Sequence, residues 1–109
     1  MVGSNELHDA ILQDIIRRIV EVAHPERIIL FGSAARGTMG SHSDIDVLVV
    51  KRGVYEPSQV VGDIYMNLYG VGQAVDVLVV TPEQLERYRD TPYLVIAPAL
   101  RDGREIYHA

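Results

Sequence analysis

Apolar side chains recur at helical spacing through residues 5–23: Leu7, Ile11, Ile15, Ile19 and Val22, with Ile16 and Val20 widening the stripe. That pattern predicts an amphipathic helix, with Ser4 or Asn5 available to cap it and Pro25 to stop it. Arg27 to Phe31 then reads as a first strand. Gly32 to Gly40 is turn-rich, with room for a short helix through Ala34-Ala35-Arg36. A second strand runs from Asp44 to Val50. Ile45, Val47 and Val49 share one face while Leu48 and Val50 share the other, so beyond Asp46 the strand is apolar on both sides, as a central strand is.

Gly53 and Pro57 punctuate the chain before a second long helix. Its apolar face comprises Val60, Val61, Ile64, Tyr65 and Leu68, and Gly70 and Gly72 end it. Val75 to Val80 is a third strand. Thr81-Pro82-Glu83-Gln84 is a helix start, with Thr as N-cap, Pro in the first turn and Gln closing a capping box. Thr91-Pro92 begins a further helix that Pro98 kinks or shortens, and Arg104 to Tyr107 adds a short edge strand.

This order of elements indicates an α/β domain with helices flanking a sheet. Asp46-Val47-Leu48-Val49-Val50 recurs verbatim as Asp76-Val77-Leu78-Val79-Val80, although the surrounding residues do not repeat. Two buried strands thus each begin with an aspartate in the same register. A strand–helix–strand crossover makes such strands parallel. As neighbours, they would hold Asp76 at the same end of the sheet as Asp44 and Asp46. Gly32 and Ser33 lie at the exit of the first strand, and reach that end only if the first two strands are antiparallel. The expected sheet is therefore mixed.

The 109 residues are expected to form one domain, spanning 1–109. There is no cysteine, hence no disulfide framework, thiolate nucleophile or zinc–thiolate site. A net charge of −5 argues against direct nucleic-acid binding, which needs a basic face, but is compatible with a nucleotide that arrives with its own cations. No apolar run reaches the roughly 18 residues of a membrane span, and residues 1–10 are polar and acidic rather than signal-like. The expected location is the cytoplasm.

Asp44 and Asp46, two apart on a strand, point the same way with Cα atoms roughly 6.5–7 Å apart. Ionised carboxylates about 5 Å apart repel by roughly 3 kcal/mol at an effective dielectric of 20. A divalent cation removes that penalty, and Mg²⁺ favours carboxylate oxygens combined with water and phosphate. Asp44, Asp46 and Asp76 are therefore candidate metal ligands; the competing account is that each caps a turn before its strand. The Gly32-Ser33 turn offers backbone N–H groups and a hydroxyl to a phosphate, or is a simple turn. It is not a Walker A loop, since Thr38-Met39 follows Gly37 where Lys-Ser/Thr is needed, and it does not fit G-x-G-x-x-G. Arg36 could meet a phosphate or a site carboxylate, or form a surface ion pair. His42, next to Ser43 and Asp44, could reach the same place or be a solvated loop residue.

Taken together, Gly32-Ser33, ten intervening residues, Asp44-Ile45-Asp46 and the later Asp76 resemble the motif h-G-[GS]…D-h-[DE]-h of the DNA polymerase beta-like nucleotidyltransferase superfamily. The wording Gly-Ser-Ala-Ala-Arg-Gly with Ser-Asp-Ile-Asp is similar to the minimal nucleotidyltransferases in particular. The resemblance implies the nucleotidyltransferase fold, with two Mg²⁺ ions held by Asp44, Asp46 and Asp76. Gly32, Ser33 and Arg36 would bind the nucleotide. A nucleoside monophosphate would pass from a triphosphate, ATP in the first instance, to an acceptor hydroxyl. Many relatives are encoded beside a small helical HEPN-type protein, and some act as antitoxins by modifying it. The implied partner is such a protein, in a homo- or hetero-oligomer. The alternative is a non-catalytic module that neutralises its partner by covering it. Transfer to a small molecule such as an antibiotic usually needs an added substrate domain.

Overall fold

A computed structural model of the chain describes residues 4–32, 44–89 and 103–109. The first helix, α1, spans Ser4–Ala23. It ends as its apolar stripe ends. His24 takes a left-handed conformation (φ 48°) and its N–H still bonds the Val20 carbonyl at 3.1 Å, after which Pro25 bars continuation. Strand β1 follows at Arg27–Phe31, and β2 at Ile45–Val50. Helix α2, Pro57–Leu68, carries Pro57 in its first turn, where a missing N–H costs nothing. Strand β3 is Val75–Val80, helix α3 Pro82–Arg89 and strand β4 Arg104–His108. The expected capping box is formed: the Thr81 N–H donates to Gln84 Oε1 at 2.9 Å, and the Gln84 N–H to Thr81 Oγ1 at 3.1 Å. The helix expected from Thr91-Pro92 lies outside the described residues.

The four strands form one mixed sheet in the order β3-β2-β1-β4. β1 is antiparallel to both β2 and β4, whereas β2 and β3 are parallel. Both inferences about strand direction therefore hold, and β4 is the edge strand expected beside the rest. The fold is α/β, with helices on both faces of the sheet.

One face is closed by α1 and α2. Ile15 and Ile19 of α1 and Ile64 of α2 are fully buried against Ile28, Leu30, Val47 and Val49. The opposite face carries a smaller cluster in which Leu85 of α3, with Tyr88 beside it, covers Ile29, Leu48, Val50 and Val80. The identical pentapeptides behave differently. β2, with neighbours on both sides, is buried at every position after Asp46, whereas β3 at the edge alternates, leaving Asp76 and Leu78 exposed. The expectation of two buried strands is corrected accordingly: an edge strand keeps one flank, and part of one face, in water.

Two helix ends are completed by cations from other elements. Arg18 of α1 donates through Nη1 to the carbonyls of Asn67 (3.1 Å) and Tyr69 (3.0 Å) at the end of α2, and Asn67 Nδ2 returns a bond to the Arg18 carbonyl at 2.7 Å. Lys51, just after β2, donates to the Ala23 carbonyl at 2.7 Å, closing α1. Neither helix has a basic residue in its own last turn, so these borrowed cations satisfy orphan carbonyls and oppose the negative end of each helix dipole.

Arg18→Met should therefore lower unfolding free energy by about 1–3 kcal/mol in urea titrations, because the α2 carbonyls lose a charged donor. Asp14 is held below the ordinary carboxylate range by hydrogen bonds first from Arg17 and then from Arg18. A depressed folded-state value stabilises above the unfolded value, and that contribution disappears as pH falls through the folded value. Asp14→Asn should thus flatten the acid limb of a melting-temperature profile and leave its alkaline limb unchanged.

Candidate functional site

The candidate residues among those described, Gly32, Asp44, Asp46 and Asp76, lie where β1 ends and β2 and β3 begin. Register fixes their order across the sheet: Phe31 of β1 opposes Asp46 of β2, and Asp46 opposes Asp76 of β3. Directly opposed residues share a face, so these three form one row. It lies on the face that α3 covers further along, at Val50 and Val80. Adjacent strands are about 4.8 Å apart, which sets the two aspartates next to each other on one face of the sheet. Asp46 is half-buried and Asp76 exposed. Asp44 sits one residue before the start of β2 and is exposed.

Gly32 faces this row and must be glycine for two reasons. Its backbone is left-handed, at φ 73°. A Cβ built on it would also collide with the Asp46 carboxylate. The exit of β1 and the first acid of β2 are therefore packed against each other, as the antiparallel pairing requires. Ser33, Arg36 and His42, singled out with Gly32 in the sequence, lie outside the described residues.

The row behind the acids is apolar: Ile29, Leu48 and Leu78 are in register, with Leu78 38% exposed. Half-buried Phe31, in the Asp46 row, packs against the cluster of Ile29, Leu48, Val50, Val80 and Leu85. The alternation of positions 29 and 31 along β1 is the sequence signal for this residue, which the motif pattern does not single out.

Among the described residues, no three His, Cys, Asp or Glu side chains are gathered closely enough to enclose a metal ion. The donor chemistry nevertheless suits a hard divalent cation: carboxylate oxygens at one rim, two of them on adjacent strands, and no sulfur ligand. The Asp46 carboxylate packs directly on Gly32, close to the position a Cβ there would occupy.

Gly32→Ala tests this packing. The methyl group would meet both an unfavourable φ and the Asp46 carboxylate, so a loss of about 1–3 kcal/mol is expected in chemical denaturation. A crystal structure of the variant should show the Asp46 side chain displaced.

The family profile described as "Nucleotidyltransferase domain" matches residues 11–86. A chain in the crystal structure of a toxin–antitoxin with AMP-PNP is similar in fold, with TM-score 0.63 and 19% identity, over 89% of this chain and 73% of that one. A protein of Sulfolobus solfataricus assigned as a nucleotidyltransferase is similar with TM-score 0.56 and 22% identity, over 91% of this chain and 87% of that one. A variant of the toxin–antitoxin MntA–HpeT gives TM-score 0.60 and 17% identity, over 86% and 71%. No curated protein matches the sequence. The matched residues run from within α1 into α3 and include β1, β2 and β3 with both strand aspartates, and the chain belongs to the nucleotidyltransferase domain family.

Proposed function

We propose that this protein transfers a nucleoside monophosphate from a nucleoside triphosphate to a hydroxyl on a partner protein, in a Mg²⁺-dependent reaction. The observation that carries the reading is the parallel, in-register pairing of β2 with β3, which sets Asp76 beside Asp46 at the rim where Gly32 packs. An antiparallel β3 would have separated the two acids by roughly a strand length, about 15 Å. Membership of the nucleotidyltransferase domain family supports the reaction class. One structure of similar fold is of a toxin–antitoxin with AMP-PNP, which supports ATP as the nucleotide and a protein as the partner. The protein is proposed to be a minimal nucleotidyltransferase with an antitoxin role towards a small helical HEPN-type partner.

In the reaction the acceptor oxygen forms a bond to the α-phosphorus while the bond from that phosphorus to the bridging oxygen breaks, and pyrophosphate leaves. Asp44 and Asp46 would hold the Mg²⁺ ions, and Asp76 would share one of them or take the proton from the acceptor hydroxyl. Bound Mg²⁺ would offset triphosphate charge and stabilise the attacking and leaving oxygens of an in-line displacement. Gly32 contributes by having no side chain where the nucleotide must approach Asp46. Ser33 and Arg36 would complete the nucleotide contacts. The same carboxylates that repel one another in isolation become the reason the protein binds a metal–nucleotide complex.

With Mg²⁺, labelled ATP and the candidate partner, the wild type should label the partner, and Asp46→Asn and Asp76→Asn should each reduce labelling at least about a hundredfold. Equal labelling by Asp46→Asn would remove that residue from the chemistry. Protection from the partner by a variant with all three acids replaced would favour occlusion over catalysis. Mg²⁺ with ATP at millimolar concentration should also raise the melting temperature, because a ligand of the folded state alone stabilises it.

A further inference from the structure

Asp76 occupies an insecure place. It is the second residue of an edge strand, and the preceding Tyr69–Ala74 segment includes Gly70 and Gly72 at φ 86° and 82°. β2 grips β3 from one side only. Ile45 N–H donates to the Ala74 carbonyl at one end of the ladder, and Lys51 N–H to the Val80 carbonyl at the other, each at 2.9 Å. Between these ends a parallel ladder steps by two residues, so the even-numbered residues of β3 bond to β2 and the odd-numbered ones point their N–H groups at the free edge. Asp76 therefore directs its carbonyl towards β2, while the other end of the same peptide plane, the Val77 N–H, faces outward.

That outward N–H is not left to water. It donates to the Tyr65 hydroxyl at 2.9 Å. Tyr65 lies on α2, one residue after the fully buried Ile64, so the bond ties the edge strand to a helix anchored in the core. The tyrosine itself is 43% exposed, and its ring adds less to the core than the sequence pattern suggests. Its hydroxyl is the feature that binds it to the site.

We infer that Tyr65 is a positioning residue: by holding the peptide plane that follows Asp76 from the side opposite β2, it sets the Asp76 carboxylate beside Asp46 for binding the metal–nucleotide complex. The inference rests on the proposed role of Asp46 and Asp76. It distinguishes Tyr65 from a residue that merely shields a sheet edge, because shielding would leave metal binding untouched.

The test is Tyr65→Phe, which removes one oxygen and keeps the ring. Two measurements are made on the full chain: hydrogen exchange at the Val77 amide, and Mg²⁺ titrations at fixed ATP followed by the melting shift. Loss of one hydrogen bond should speed Val77 exchange and raise the half-saturating Mg²⁺ concentration about two- to tenfold each. Faster exchange with an unchanged half-saturation point would make Tyr65 an edge cap only and overturn the inference. Unchanged exchange would also overturn it. If the wild type responds to Mg²⁺ with ATP and Asp46→Asn does not, the reading of the site stands whatever Tyr65→Phe does. If the wild type gives no response, that reading fails and this inference fails with it.

Discussion

Two parallel strands held in register set two like charges side by side, and much of the rest of the fold serves to keep them there. Asp46 and Asp76 are directly opposed across β2 and β3. Nothing in that pairing is favourable to two neighbouring acidic side chains, because like charges repel. The register is imposed from elsewhere. Helix α2 crosses over with Val60, Ile64 and Leu68 buried, while Val47, Val49 and Val77 pack beneath it in the same core. Sliding β3 by one residue would turn Val75 and Val77 out of that core, so burial of these side chains holds the register.

The sheet's two faces divide the work. On the α1–α2 side the core is apolar from end to end, and even the polar ends of the helices are closed by Arg18 and Lys51 from neighbouring elements. On the α3 side polarity is graded along the strands. Val50 and Val80 lie under Leu85; Leu48 and half-exposed Leu78 come next; Phe31, Asp46 and Asp76 form the last row. A rigid scaffold at one end therefore passes into a charged rim at the other without a loop intervening. Asp46 is fixed by pairing on both sides of its strand, whereas Asp76 on the edge strand is paired on one side only.

Gly32 joins the remaining strand to this rim. Its left-handed backbone ends β1, and the absence of a side chain lets Asp46 pack directly against it. The antiparallel pairing of β1 with β2 thus has a local consequence as well as a topological one: the same glycine that permits the turn makes room at the acid.

Much of this could be read from residue order. The period of the α1 stripe, the Thr81–Gln84 box, the apolar runs at 45–50 and 75–80, and the helix between them determine the elements and favour parallel pairing of β2 with β3, because a helix between two strands gives the chain the length to cross back over the sheet. The spacing of Gly32-Ser33 and Asp44-Ile45-Asp46 carried the resemblance to the family, whose profile matches residues 11–86. What sequence alone could not assign was neighbourhood. Asp-Val-Leu-Val-Val occurs twice, yet one copy is central and buried while the other lies at an edge with Asp76 and Leu78 exposed, a difference set by what packs alongside rather than by the residues. Tyr65 likewise counts as apolar in a helical pattern. Only the tertiary arrangement turns its hydroxyl onto the Val77 N–H, because hydrogen bonds between distant segments depend on where the core brings those segments together.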